Sequence, residues 1–135
     1  MEDAKEVTTA SGLRYTDLVV GGGQSPERGL LVLVHYIGRA NGEVFEDTYK
    51  RGKPLVAIYG ARPFTAGLCA GVEEGMRSMR AGGKRRMVVP PELGFGAEGA
   101  SIRPTLHAGD KDGVIPPNAT LEYEVELVRV SIPPS

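Results

Sequence analysis

The chain has 135 residues, with Lys plus Arg 16 against Asp plus Glu 17 and a formal charge of −1. That length suits one domain, and the near balance of charge argues against a dedicated nucleic-acid binder or a polybasic membrane-surface protein. Gly 19 and Pro 10 are too many for a helical bundle and point to short strands joined by turns, while the single Cys69 allows no intrachain disulfide and no cysteine metal cluster.

Residues 12–20 read as a first strand, with Leu13 and Tyr15 alternating against Arg14 and Thr16. Gly21-Gly22-Gly23-Gln24-Ser25-Pro26 closes it as a turn. Neither Gly-Lys-Ser/Thr nor a helical pattern follows, so the three glycines are punctuation rather than a phosphate loop. The strongest strand signal covers residues 30–38, where Leu31-Val32-Leu33-Val34-His35-Tyr36-Ile37 has the pattern of a central strand covered on both faces. Ala40-Asn41-Gly42-Glu43 supplies an Asn-Gly turn. Val44-Phe45-Glu46 returns from it, residues 47–52 are polar, and residues 54–58 form another short strand with Pro54 at its start, where a missing N–H costs least.

Helical spacing is convincing only over residues 70–79, where Val72, Met76 and Met79 fall on one side. Glu73 and Glu74 lie near its start and Arg77 and Arg80 near its end, the order the helix dipole favours, and Ala81-Gly82-Gly83 stops it. A helix this short needs docking to persist. Residues 84–89 run as a strand into Pro90-Pro91, a glycine- and proline-rich segment covers 92–117, and residues 121–127 alternate Leu121, Tyr123, Val125 and Leu127 with Glu122, Glu124 and Glu126. Val128 and Val130 shift that phase, through a bulge or an edge contact. Five or six strands and one central helix imply an α+β fold, an antiparallel sheet with the helix packed across one face, since a parallel sheet needs a crossover helix between most strands. The domain reading is a flexible N-terminal tail over residues 1–12, one domain over 13–130 and a C-terminal tail over 131–135.

The inventory for covalent chemistry is thin. His35 sits inside a strand, where a packed or interfacial role is expected, and His107 lies in a loop expected to be exposed. Cys69 has no neighbour arranged to lower its pKa and reads as a buried, inert thiol. Two isolated histidines give no metal-ligand spacing, and no cofactor is implied. Arg77, Arg80, Lys84, Arg85 and Arg86 form the basic cluster, but strand alternation separates Lys84 and Arg86 from Arg85, so a solvated face is expected rather than a nucleic-acid site. Glu73 and Glu74 point about 100° apart on a helix and cannot both face one substrate atom; with Glu92 they read as caps and surface charges. Asn118-Ala119-Thr120 matches the glycosylation sequon, a short pattern. No apolar run approaches 18 residues, so no membrane insertion is expected, and no charged-then-apolar leader opens the chain. Tyr36, Phe45, Leu55, Phe95, Ile115 and Tyr123, close to glycine- and proline-rich loops, form either plain core or the wall of an apolar concavity.

The order Val34-His35-Tyr36, Gly42-Glu43-Val44-Phe45-Glu46, Gly71-Val72-Glu73-Glu74-Gly75-Met76, Gly94-Phe95-Gly96 and Gly113-Val114-Ile115-Pro116-Pro117-Asn118-Ala119-Thr120-Leu121 resembles the FKBP-type immunophilins. These are peptidyl-prolyl cis-trans isomerases that bind proline-containing segments and the macrolides tacrolimus and rapamycin. The resemblance runs from about Leu13 to Val130 and implies a five- or six-stranded antiparallel sheet curled round one short helix, with the pocket between them. It makes Tyr36, Phe45, Val72, Phe95, Ile115 and Tyr123 the pocket wall, with Glu46 and Arg51 fixing its rim. It places Leu55 where an aromatic is usual, and Leu68 and Cys69 at the positions of a Val and an Ile, with the Cys69 backbone donating to a ligand carbonyl. Val72 stands where a tryptophan floors the pocket, with about 3–5 kcal/mol at stake on the scale of core truncations. Phe95 stands for a tyrosine and lacks a donor worth about 0.5–1.5 kcal/mol. Glu46 replaces aspartate and Tyr123 replaces phenylalanine. Reduced isomerase activity and weak macrolide binding follow from the resemblance. Its alternative is a non-catalytic binding or assembly module, favoured by an extension over residues 100–112 that lengthens the flap. The style of sequence, including the long segment over residues 61–68, is similar to the plastid members of the thylakoid lumen, with any targeting peptide removed.

Overall fold

The strand with the cleanest alternation is the one the sheet is built on. In a computed structural model that describes residues 5–64, 67–101 and 114–133, β9 (Leu121–Ser131) runs between β6 (Lys84–Val89) and β3 (Leu31–Ala40). Its Leu121, Tyr123, Val125 and Leu127 are buried while Glu122 faces water. The order across the sheet is β1-β2-β6-β9-β3-β4, with β1 at Glu6–Thr8, β2 at Arg14–Val19 and β4 at Glu43–Asp47. A further strand, β5 (Leu55–Ile58), pairs with β3 beyond the end of β4. Every pairing is antiparallel. A single helical turn, α1 (Thr48–Arg51), separates β4 from β5, and α2 (Ala70–Met76) is the one substantial helix among the described residues. Pro91–Leu93 is a 3-10 turn, and β7 (Ala100–Ser101) pairs with β8 (Val114–Ile115) in a separate ribbon. The fold is therefore α+β, an antiparallel sheet with one helix on its buried face. No helix among the described residues is long and apolar enough to cross a membrane.

Two glycines let the helix approach the sheet. A Cβ on Gly71 would stand 2.6 Å from Val89 Cγ1, and one on Gly75 would stand 2.5 Å from Met87 Sδ. Beside them Val72 and Met76 bury their side chains. The helix is shorter than the expected span of 70–79. Arg85, only 5% exposed, donates from Nη1 to the Gly75 carbonyl at 2.8 Å, and the Met79 N–H turns instead to the Met76 carbonyl at 2.9 Å. Capture of that carbonyl by a side chain from β6 tightens the last turn and ends the helix. Arg85 also pairs with Asp17 at 2.7 Å, reaches Ser78 Oγ at 2.8 Å and lies 4.0 Å over the Tyr15 ring.

Other expectations need correction. The segment assigned to an N-terminal tail contains β1, which pairs with β2 through Glu6↔Thr16 and Thr8↔Arg14 and takes the sheet to seven strands. At the other end Ser131 belongs to β9. The strand expected to be covered on both faces buries only one: Val32, Val34, Tyr36 and Ala40 are enclosed, whereas Leu31, Leu33, His35 and Ile37 are half-buried. The phase break after Leu127 is a register shift, where Leu33 faces Arg129 and Val34 faces Leu127, leaving Val128 as the extra residue.

Candidate functional site

The site begins at a gap in the sheet. On one edge of β3, residues 37–40 pair with β4 and residues 31–34 pair with β5, so His35 and Tyr36 have no strand beside them there. The fully buried Thr48 fills the gap. The Tyr36 N–H donates to Thr48 Oγ1 at 2.8 Å, the hydroxyl lies 3.4 Å from the Tyr36 carbonyl, and His35 Nδ1 is 2.7 Å from the same oxygen. Asp47 caps α1 by accepting from the Tyr49 and Lys50 amides at 3.0 and 3.2 Å. The outer side of His35 is closed by Tyr49, whose ring stacks at 4.4 Å and whose hydroxyl donates to Glu126 at 2.6 Å. His35 is thus packed, as expected of a strand histidine.

On the inner face three aromatic rings meet. Tyr36 and Tyr123 lie 5.6 Å apart in a tilted pair, and Phe45 meets Tyr123 edge-on at 5.8 Å. The Phe45 ring needs Gly38, because a Cβ there would stand 2.5 Å from its Cζ. Tyr36 and Tyr123 are 0% and 1% exposed, and Phe45 is 4% exposed. Burial, then the Glu46 carboxylate, hold the Tyr36 phenol far above its ordinary pKa, with Arg51 opposing them. Burial, then Cys69 and Tyr36, do the same at Tyr123. Both phenols therefore remain protonated hydrogen-bond donors through the neutral range. Glu46 is buried and accepts from the Asp47 amide at 2.9 Å. Arg51 Nε is buried without a hydrogen-bond partner among the described residues.

The start of α2 joins this cluster through Cys69. Its Sγ is 3.6 Å from the Tyr123 hydroxyl, which donates to the Gly67 carbonyl at 2.6 Å. Burial pushes the thiol pKa up, against the pull of the Val72 amide, the Tyr123 hydroxyl and the Gly71 amide, so this is a protonated and unreactive cysteine at neutral pH. Val72 is fully enclosed in the same core. Glu73 looks away from it: its carboxylate holds Arg62 at 2.9 Å and the Gly60 amide at 3.1 Å, and its carbonyl accepts from Tyr59 at 2.8 Å. Glu74 instead accepts from Ser11 at 2.7 Å, so the neighbouring acids diverge as their helical positions require.

The structure thus brings Tyr36, Phe45, Cys69 and Tyr123 into direct contact, with Glu46 and Arg51 close enough to Tyr36 for their charges to act on it. Ile115 and Leu68 are buried in the same core, and Leu55 and Phe95 pack half-buried against it. The ring contacts among the described residues do not include Phe95. Leu68 and Cys69 also border a niche under residues 57–64, lined by Ala57, Phe64 and Met76, of about 20 Å³, room for about one water rather than a prolyl ring. His107 and residues 102–112 of the expected flap extension lie outside the described residues, as do residues 65–66 of the long segment before α2. Gly38, Thr48 and Gly67 are members of the site that sequence reasoning did not single out. An isolated threonine after the Glu46-Asp47 acids gives no periodic signal, and Gly38 ends a strand where a turn glycine is the ordinary reading.

What this arrangement can do is exclude water from an apolar ring of side chains; among the described residues it holds no activated nucleophile. The FKBP-type peptidyl-prolyl cis-trans isomerase family matches residues 22–128. The chain is 46% identical to the chloroplastic peptidyl-prolyl cis-trans isomerase FKBP17-2 of Arabidopsis thaliana, over 100% of this chain and 55% of that protein. It is 42% identical to photosynthetic NDH subunit of lumenal location 4, chloroplastic, of the same plant, over 89% of this chain and 54% of that protein. The crystal structure of AtFKBP13 superposes with a TM-score of 0.74 at 32% identity, covering 93% of this chain and 98% of that one. The chain belongs to the FKBP-type peptidyl-prolyl cis-trans isomerase family. It spans about half the length of the curated relatives it matches.

Proposed function

We propose that this chain is a peptidyl-prolyl cis-trans isomerase that acts without covalent chemistry on X–Pro bonds in protein substrates, assists their folding, and does so with reduced activity. The observation that carries the reading is the contact of Tyr36, Phe45 and Tyr123 with each other and, through Cys69, with the start of α2. Rotation about an X–Pro bond meets a barrier of roughly 18–20 kcal/mol from amide resonance. A water-poor site disfavours the polar planar amide relative to the twisted one, and a wall shaped to the twisted form lowers the barrier further. Tyr36, Phe45, Val72, Phe95, Ile115 and Tyr123 form that wall in this reading. Leu55 and Leu68 extend its apolar surface, the Cys69 amide anchors a substrate carbonyl, and Glu46 and Arg51 order the rim. The same pocket takes macrolides of the tacrolimus and rapamycin type weakly. The plastid names of its relatives support a place in the chloroplast, and the lumenal name of one of them supports the thylakoid lumen.

A protease-free assay following proline isomerisation in a short peptide tests this. A rate above background that falls when Phe45 is replaced by alanine is expected; folded protein with no rate above background overturns it. A second reading is favoured by one feature. Tyr36, Val72 and Tyr123 are almost wholly enclosed, as suits a module that binds a partner without turning over peptide, and a relative named as an NDH subunit is in keeping with it.

A further inference from the structure

Tyr123 carries a hydroxyl that an apolar wall does not need. The residue is 1% exposed, and an oxygen placed there costs desolvation unless it is satisfied. It is satisfied by one particular segment: the hydroxyl donates to the Gly67 carbonyl at 2.6 Å, and Cys69 Sγ approaches the same oxygen at 3.6 Å. Gly67 has φ +80°, a left-handed conformation, and two residues later Cys69 is the N-cap of α2 with an extended backbone. The chain therefore turns sharply between the loop and the helix, and a side chain from the middle of the sheet spans the turn. We propose that Tyr123 is a positioning residue, its hydroxyl fixing residues 67–69 so that the Cys69 amide meets the substrate carbonyl in a set direction.

This rests on the isomerase reading for its consequence but not for its geometry. Burial, first of all, raises the Tyr123 phenol well above its ordinary pKa, so the hydroxyl is protonated and able to donate at neutral pH. The ring of Tyr123 touches Tyr36 and Phe45 at the same time. One residue thus joins the aromatic wall to the rim that bears the amide.

The test is Tyr123→Phe, which keeps the ring and removes the strut. Amide hydrogen exchange at Leu68 and Cys69 is expected to quicken roughly tenfold, while Val34 and Val125 in the sheet exchange as before. In the peptide assay kcat/KM is expected to fall through a raised KM with kcat retained, because an anchoring contact serves ground and transition states alike. Tyr59→Phe, which removes the hydroxyl bonded to the Glu73 carbonyl, serves as control and leaves KM unchanged. Unchanged exchange at Leu68 and Cys69 in Tyr123→Phe overturns the strut, and faster exchange with unchanged KM overturns its role in anchoring substrate. Wild-type protein without turnover sinks the isomerase reading alone, and the exchange measurement still decides whether the strut exists.

Discussion

Val72, where the resemblance implies a tryptophan, leaves no open space above itself. The side chain is 0% exposed, so the smaller residue is accommodated by a closed core rather than by a gap waiting for an indole. Val72→Trp is accordingly expected to lower unfolding free energy in urea by about 1–3 kcal/mol through overpacking, with no gain in peptide isomerisation. A faster enzyme of unchanged stability would show instead that the pocket lacks a floor. Burial at this scale was legible from the sequence, since the alternation around Tyr123 and the helical spacing of Val72 and Met76 place all three inside. The polar partners were not: the carbonyl that Tyr123 bonds lies 56 residues away, and neither residue marks the other by pattern.

At the scale of elements, the break in the edge of β3 does most to shape the site, and Thr48 is the residue that closes it. Its hydroxyl stands in for the missing strand by accepting the Tyr36 N–H. Thr48→Val keeps the shape and orphans that buried donor, an expected loss of about 1–3 kcal/mol in chemical denaturation, while Thr48→Ser retains most of the stability. Equal stability of the Val variant would mean that another group satisfies Tyr36. The strand β9 was readable because it buries a face with period two, and β3 from its apolar run, although that run reads as covered on both faces. The strand β1 was not, because Glu6, Val7 and Thr8 are all exposed and present no alternation to read. The end of α2 escaped for a different reason: Met79 is buried, so its spacing continues the helical pattern, while Arg85 from β6 withdraws the Gly75 carbonyl from the ladder.

Across the whole molecule the two faces of the sheet divide the labour. Outside, Lys84 is paired in register with Glu126 and Arg86 with Glu124, opposite charges set across neighbouring strands. Two members of the basic cluster seen in the sequence, Lys84 and Arg86, are therefore interleaved with acids, and a third, Arg85, is inside. On the inner face the aromatic residues from β3, β4 and β9 gather beside the first turn of α2. The fold class was legible from element order alone, whereas this convergence depends on register across strands far apart in the chain. The central claim is that the inner wall receives the proline. Titration of isotope-labelled protein with a proline-containing peptide, followed by amide chemical shifts, tests it most directly. The account predicts shifts concentrated at Phe45, Cys69, Ile115 and Tyr123; shifts confined to the exposed apolar residues Val56, Ile58 and Val128 of the outer surface would contradict it.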